Sequence, residues 1–211
     1  MTRIGVLVGV VLFMACNLAC ATQPIFGQFT EREVAFDGCR FKLKDPYNGT
    51  LDVTESRKLA NYAADINPKA RHPFETWIQF SCENPAMPKT LSELAGIMMT
   101  GGGWELDPSP ESVGPKEAHT IFRALHGKAW DAGGVTQDDI NGDEERRTRV
   151  FAFCIPHRNL ALCGVVRHVG YLEHLNESTL PQVIQLLQSI EFIDDAQVAP
   201  ANSSTAPSPN H

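Results

Sequence analysis

The chain has no Cys-x-x-Cys pair, no His-Glu-x-x-His and no Gly-x-Ser-x-Gly. The first absence removes a thioredoxin-type redox centre and a zinc ribbon. The second removes the helical zinc-protease site, and the third removes a nucleophile elbow. Gly101-Gly102-Gly103 is not followed by the Lys and Ser/Thr of a phosphate-binding loop, so helix termination is its expected role. Basic residues are also scarce: 18 Lys and Arg stand against 25 Asp and Glu, a formal net charge of −7. That surface opposes nucleic acid and anionic lipid headgroups, which attract basic proteins, and suits a protein partner with a basic surface. No internal repeat is present.

The first 21 residues read as a secretory signal peptide. Arg3 supplies a short charged start, Ile4–Ala15 is an apolar run too short to span a membrane, and Ala19-Cys20-Ala21 offers small residues for cleavage. A second reading stands beside it. Leu18-Ala19-Cys20 resembles the end of a lipobox, in which Cys20 is lipidated, although Asn17 sits where that motif prefers Leu. Residues 22–31 read as a linker, 32–194 as a single domain, and the Pro/Ala/Ser-rich 195–211 as a disordered tail. The expected location is the periplasm or outside the cell. The alternative is an envelope lipoprotein, and a membrane contact enters only through Cys20.

Export places Cys39, Cys82, Cys154 and Cys163 where disulfides persist, and four cysteines allow three pairings. Arg149–Ile155 and Leu160–Val169 read as a hairpin through Pro156-His157-Arg158-Asn159. With Arg158-Asn159 at its turn, Cys154 faces Cys163, and a one-residue shift breaks that register. The simplest partition then leaves Cys39 with Cys82.

Asp37-Gly38 between Glu33–Phe36 and Cys39–Leu43 predicts a two-residue hairpin turn. A helix is expected over Glu55–Ile66 from the stripe Leu59, Tyr62, Ala63 and Ile66, ended by Asn67-Pro68. Thr76–Cys82 alternates as a strand, with Trp77, Gln79 and Ser81 opposite Ile78, Phe80 and Cys82. Thr90-Leu91-Ser92-Glu93 has the spacing of a capping box, opening a helix through about Met99. Trp104–Leu106 and His119–Leu125 are expected to form a strand pair. Thr179 starts a last helix with Leu180, Val183, Ile184, Leu187 and Ile190 on one stripe, followed by a short strand at Glu191–Ile193. The order describes an α+β fold, an antiparallel sheet with helices packed on it.

The hairpin with its Pro-His turn and the late helix ending Leu187-Gln188-Ser189-Ile190-Glu191-Phe192 resemble the closing portion of PsbP-like domains. These include periplasmic lipoproteins of the DcrB kind. The resemblance implies a noncatalytic domain that binds partners, assists assembly, or serves as an immunity or adaptor protein for a secreted toxin. It implies no site residues.

The candidate partner surface is the acidic run Asp138, Asp139, Asp143, Glu144 and Glu145, with Trp104 and Trp130 as anchors if exposed. The run departs from a calcium loop because Gly142 precedes Asp143, so no metal and no cofactor are expected. An acidic loop entering a basic cleft of a toxin is a sensible mechanism. The competing class is a secreted hydrolase whose histidines and carboxylates converge only in three dimensions.

Overall fold

The structure is a computed structural model describing residues 29–87 and 89–194. The leader, Cys20, most of the linker and the tail lie outside the described residues. Asp37 and Gly38, at φ 45° and 87°, close β1 (Thr30–Phe36) onto β2 (Cys39–Asp45), with Phe36 opposite Cys39. Both positions are left-handed, as a tight hairpin matching the strand twist requires. The strand begins at Thr30, so the last two residues assigned to the linker belong to the fold.

The next elements correct the sequence reading. The region 55–66 is not a helix. It follows β3 (Thr50–Val53) and contains β4 (Leu59–Ala64), which pairs with β3 on one side and with β5 (Thr76–Glu83) on the other. Ala60, Tyr62 and Ala64 alternate inward, and a short apolar segment satisfies both periods, so the neighbouring strands decide. On β5 Ile78 and Phe80 are fully buried, while Trp77 and Gln79 face outward.

The helix α1 (Thr90–Ala95) exists but is short and lacks the capping box. Lys89, in the left-handed conformation, occupies the cap position, and the Thr90 side chain caps nothing. Gly96, at φ 62°, ends the helix and returns its N–H to the Ser92 carbonyl. Ile97–Thr100 becomes β6 and pairs with β7 (Gly103–Leu106), so the three glycines turn a hairpin rather than stop a helix. Trp104–Leu106 therefore does not pair with the following strand. After α2 (Pro110–Val113), β8 (Ile121–His126) pairs with β9 (Asp131–Asp138), a strand the alternation did not signal. Residues 132–136 of β9 are all buried, and a strand covered on both faces carries no alternating pattern.

The C-terminal expectations hold in outline, although Pro156 and His157 belong to a strand, the strand expected to reach Val169 ends at Val166, and Thr179 starts the last helix without a side-chain cap. Strands β10 (Arg149–His157) and β11 (Leu160–Val166) form the hairpin with Cys154 opposite Cys163. Helix α3 (Leu180–Gln188) buries Leu180, Val183, Leu186 and Leu187, and β12 (Glu191–Phe192) pairs with β2. The sheets are β1-β2-β12, the seven-stranded β3-β4-β5-β11-β10-β9-β8, and β6-β7. The fold is mainly antiparallel sheet with a few short helices, 19% helical and 45% strand, compatible with α+β.

The main core lies against the inner face of the seven-stranded sheet. Phe41 meets Phe80 at 5.4 Å between centroids, and Phe80 meets Phe153 edge-on at 5.9 Å. Phe153 lies between Gly134 and Gly164 in register, and a Cβ at Gly164 would come within 2.5 Å of its ring. A smaller core, with Ile97, Val135, Cys154 and Cys163, sits on the outer face beneath α1 and the β6–β7 hairpin.

The disulfides are Cys39–Cys82, which joins the two larger sheets, and Cys154–Cys163, which joins neighbouring strands. They are consistent with a secreted or periplasmic protein. Sequence separations of 43 and 9 imply about 4 and about 3 kcal/mol of chain-entropy stabilisation respectively. Replacing both members of each pair by Ser is expected to lower unfolding free energy by those amounts, the Cys39/Cys82 variant more. Urea unfolding midpoints check the order. Denaturing, nonreducing thiol labelling is expected to find no free cysteine in the mature wild type.

Candidate functional site

The acidic run divides into a buried clamp and an exposed loop. Asp138 ends β9 and is 6% exposed, so it does not present itself to a partner as expected. Arg149 donates to it from Nε at 2.6 Å and from a terminal nitrogen at 3.0 Å, and His119 Nδ1 lies 2.9 Å from Oδ2. The fork-shaped pair takes both carboxylate oxygens, which compensates the burial of the charge. Beyond the clamp, the Asp139 N–H donates to the Thr148 carbonyl. Asn141 donates its backbone and side-chain N–H groups to the Asp139 carboxylate. Asp139, Asp143, Glu144 and Glu145 are exposed, and Glu144 pairs with Arg147 at 3.5 Å. Backbone bonds from Leu172 to Arg147 and from Arg149 to Gly170 hold the loop base against the segment before α3.

The two tryptophans do not join this loop. Trp130 is buried and donates its indole N–H to the Ile190 carbonyl, so it is a core residue rather than an anchor. Trp104 is half-buried and donates to the Asp131 carbonyl. Both sit near the start of β9, and the acidic loop leaves its other end, roughly 23 Å away along the strand. The largely exposed indole is Trp77, at 54%. Strand alternation placed it outward, but only the packing reveals that no described residue covers it.

Histidines and hydroxyls occupy separate places. His72 pairs with Glu177, His119 with Asp138, His126 with Asp131 and His157 with Asp194. Three serines instead converge on one carboxylate: Ser92, Ser109 and Ser112 donate to Asp107, and the Ser109 N–H joins them. The Ser92 bond foremost, with the Ser109 backbone bond, holds the Asp107 carboxyl below its ordinary range. This network ties α1 to the loop entering α2 and borders an open depression of about 570 Å³ that Lys89 and Met98 also line. Among the described residues no histidine nitrogen is hydrogen-bonded to a hydroxyl, and no group of three or more His, Cys, Asp or Glu is arranged to hold a metal ion.

A third cluster lies beside the acidic loop. His168 stacks on Phe74 at 3.8 Å and meets Tyr171 edge-on at 4.4 Å, while His72 and His174 stack at 3.7 Å. These contacts fasten the loop before β5 to the segment before α3. His168 Nε2 is buried without a hydrogen-bond partner, and burial lowers the imidazole pKa. The Glu177 carboxyl is also lowered, chiefly by the His72 backbone N–H.

No family model matches this chain, and no curated protein matches it.

Two outcomes follow from these geometries. Replacing Arg149 by Gln leaves the Asp138 charge buried without its fork, and stability is expected to fall by about 3 kcal/mol or more. Chemical denaturation reads the change. Separately, below the ordinary histidine pKa of about 6.5 the unfolded chain binds a proton that folded His168 resists. Its effect on stability is therefore absent above that pH and grows more unfavourable as pH falls toward the lowered folded value. His168→Phe keeps the stack and removes the proton site. Between pH 7.5 and 5.5 the variant is expected to lose less unfolding free energy than the wild type. An equal loss in both would remove His168 as a cause.

Proposed function

We propose that this chain is an exported, noncatalytic protein-binding module of the periplasm or cell envelope, related to PsbP-like domains, with an immunity or adaptor role toward a secreted toxin. One observation carries the reading: the exposed acidic loop is held at its base by the buried Asp138–Arg149 pair. Four exposed carboxylates on a clamped loop form a preorganised anionic feature, which lowers the ordering cost of binding and steers a basic partner. Asp138 acts as the clamp, and Asp139, Asp143, Glu144 and Glu145 make the contact. Cleavage after Ala21 leaves the module free, whereas lipidation at Cys20 anchors it to the envelope.

A hydrolase reading needs a histidine beside a nucleophile or a water-activating carboxylate in a cleft. Four of the described histidines are engaged by carboxylates at scattered positions, His168 and His174 stack on other rings, and Ser92, Ser109 and Ser112 converge on Asp107 without a histidine. That separation favours the binding module.

The test compares the mature protein with a variant carrying Asp139→Asn, Asp143→Asn, Glu144→Gln and Glu145→Gln. A partner isolated from the host with the wild type is expected to associate about tenfold more slowly with the variant at low salt, the gap narrowing at high salt. Thermal stability stays unchanged. Equal association rates reject the acidic-loop mechanism, and measurable turnover of an envelope substrate by purified protein rejects the noncatalytic class.

A further inference from the structure

We infer that the outer face of β4 and β5 docks a cationic, apolar-centred segment of the protein partner, with Trp77 as the anchor; this rests on the binding-module reading above. Helix α1 and the β6–β7 hairpin cover the outer face over β9, β10 and β11, where the smaller core forms. Among the described residues nothing equivalent covers the β3–β5 half. Register places Asp52, Asn61, Gln79 and Val165 in one outward row and Leu59 and Ser81 in the next, with Ala63 opposite Trp77. Leu59, Leu94 and Val165 border a trough of about 270 Å³ on this face. An exposed indole beside a shallow apolar trough has the form of an interface anchor, because a tryptophan gives a large rigid contact area at little entropic cost.

Charge identifies the occupant. Glu75 accepts the Trp77 indole N–H, Glu83 lines the trough and Asp52 closes the far side. None of these three is in an ion pair among the described residues. A second copy of the chain would set these carboxylates against their own images, and an anionic bilayer would be repelled. Residues 22–28 and 195–211 contain no Lys or Arg, so these flanking segments lack the complementary charge. A separate polypeptide with lysines or arginines around an apolar centre satisfies both the rim and the trough.

Position joins this face to the acidic loop. Gln79 is in register with Val165, and Val165 with Ala152. Trp77 lies one step further toward the end of the sheet from which residues 139–148 emerge. It is two strands from β10, about 10 Å across the sheet. Steering and anchoring therefore fall at one end of the molecule.

The probe is an 18-residue amphipathic Leu/Lys peptide, with a Leu/Glu peptide of the same pattern as control, titrated into ¹⁵N-labelled mature protein. The Trp77 indole N–H and the amides of β4, β5 and Leu94 are expected to shift with the Leu/Lys peptide alone, while the Trp104 and Trp130 indoles stay in place. Trp77→Ala weakens binding at least tenfold. Gln79→Arg, which keeps the indole and adds a repelling charge, weakens it several-fold, and both variants melt as the wild type does. Absence of binding at millimolar peptide, shifts confined to residues 139–145, or equal affinity in both variants overturns the inference. The isolated host partner separates the two readings. If Trp77→Ala binds it as the wild type does while the loop-neutralised variant loses it, this docking face falls and the binding module stands. Catalytic turnover without any partner removes both.

Discussion

The bond between Cys39 and Cys82 is the constraint on which the rest of the fold depends, because it fixes the small sheet over the large one. Without a cross-link, β1-β2-β12 would be held to the seven-stranded sheet by side-chain contacts and chain connections alone. The bond sets β2 against β5, and the aromatic series Phe36, Phe41, Phe80 and Phe153 packs inward from that junction. A second tie lies alongside it. Tyr62 on β4 donates to Asp45 on β2 at 2.7 Å, the Tyr47 N–H donates to the same oxygen, and Arg32 approaches the other. Burial foremost, followed by the bond to Asp45, pushes the Tyr62 hydroxyl pKa well above its ordinary value, so it remains a donor.

Asp45 and Asp138 solve one physical problem at two places. Each is a carboxylate taken almost entirely out of water, and each is met by an arginine and further donors. Such pairs contribute little net stability relative to apolar packing, yet they specify geometry, because only one arrangement satisfies every oxygen. Asp45 specifies how the sheets meet. Asp138 specifies where the acidic loop begins, and the flexibility that a ten-residue loop would otherwise have is reduced at its root.

The outer face of the large sheet is divided by the shortness of its covering elements. Six-residue α1 and a two-stranded hairpin reach over β8–β11, and among the described residues nothing reaches over β4 and β5, which present an outer side on which Trp77 stands. An indole so placed leaves apolar area in water, and its weight as a docking feature comes from the trough beside it rather than from exposure alone.

Where local chemistry was decisive, the sequence by itself determined the outcome. Asp37-Gly38 defined a hairpin because both turn positions need left-handed backbone. The stripe Leu180, Val183 and Leu187 defined a helix because nothing else places those residues together, and alternation in Thr76–Cys82 separated Ile78 and Phe80 from Trp77 and Gln79. The Arg158-Asn159 turn set Cys154 opposite Cys163 through counting alone. Tertiary structure decided the rest. Leu59–Ala64 fits helical and strand periods equally, and only pairing with β5 selects the strand. Strand β9 is covered on both faces and so carried no alternating signal. Asp138 and Asp139 are adjacent acids in the sequence, yet Arg149 lies across from Asp138 in the ladder and draws it inward, leaving Asp139 in water. Trp130 and Trp77 are equally aromatic in the sequence. One meets the Ile190 carbonyl from sixty residues away, and the other meets no covering element among the described residues, because burial is set by contacts between distant segments that no local pattern records.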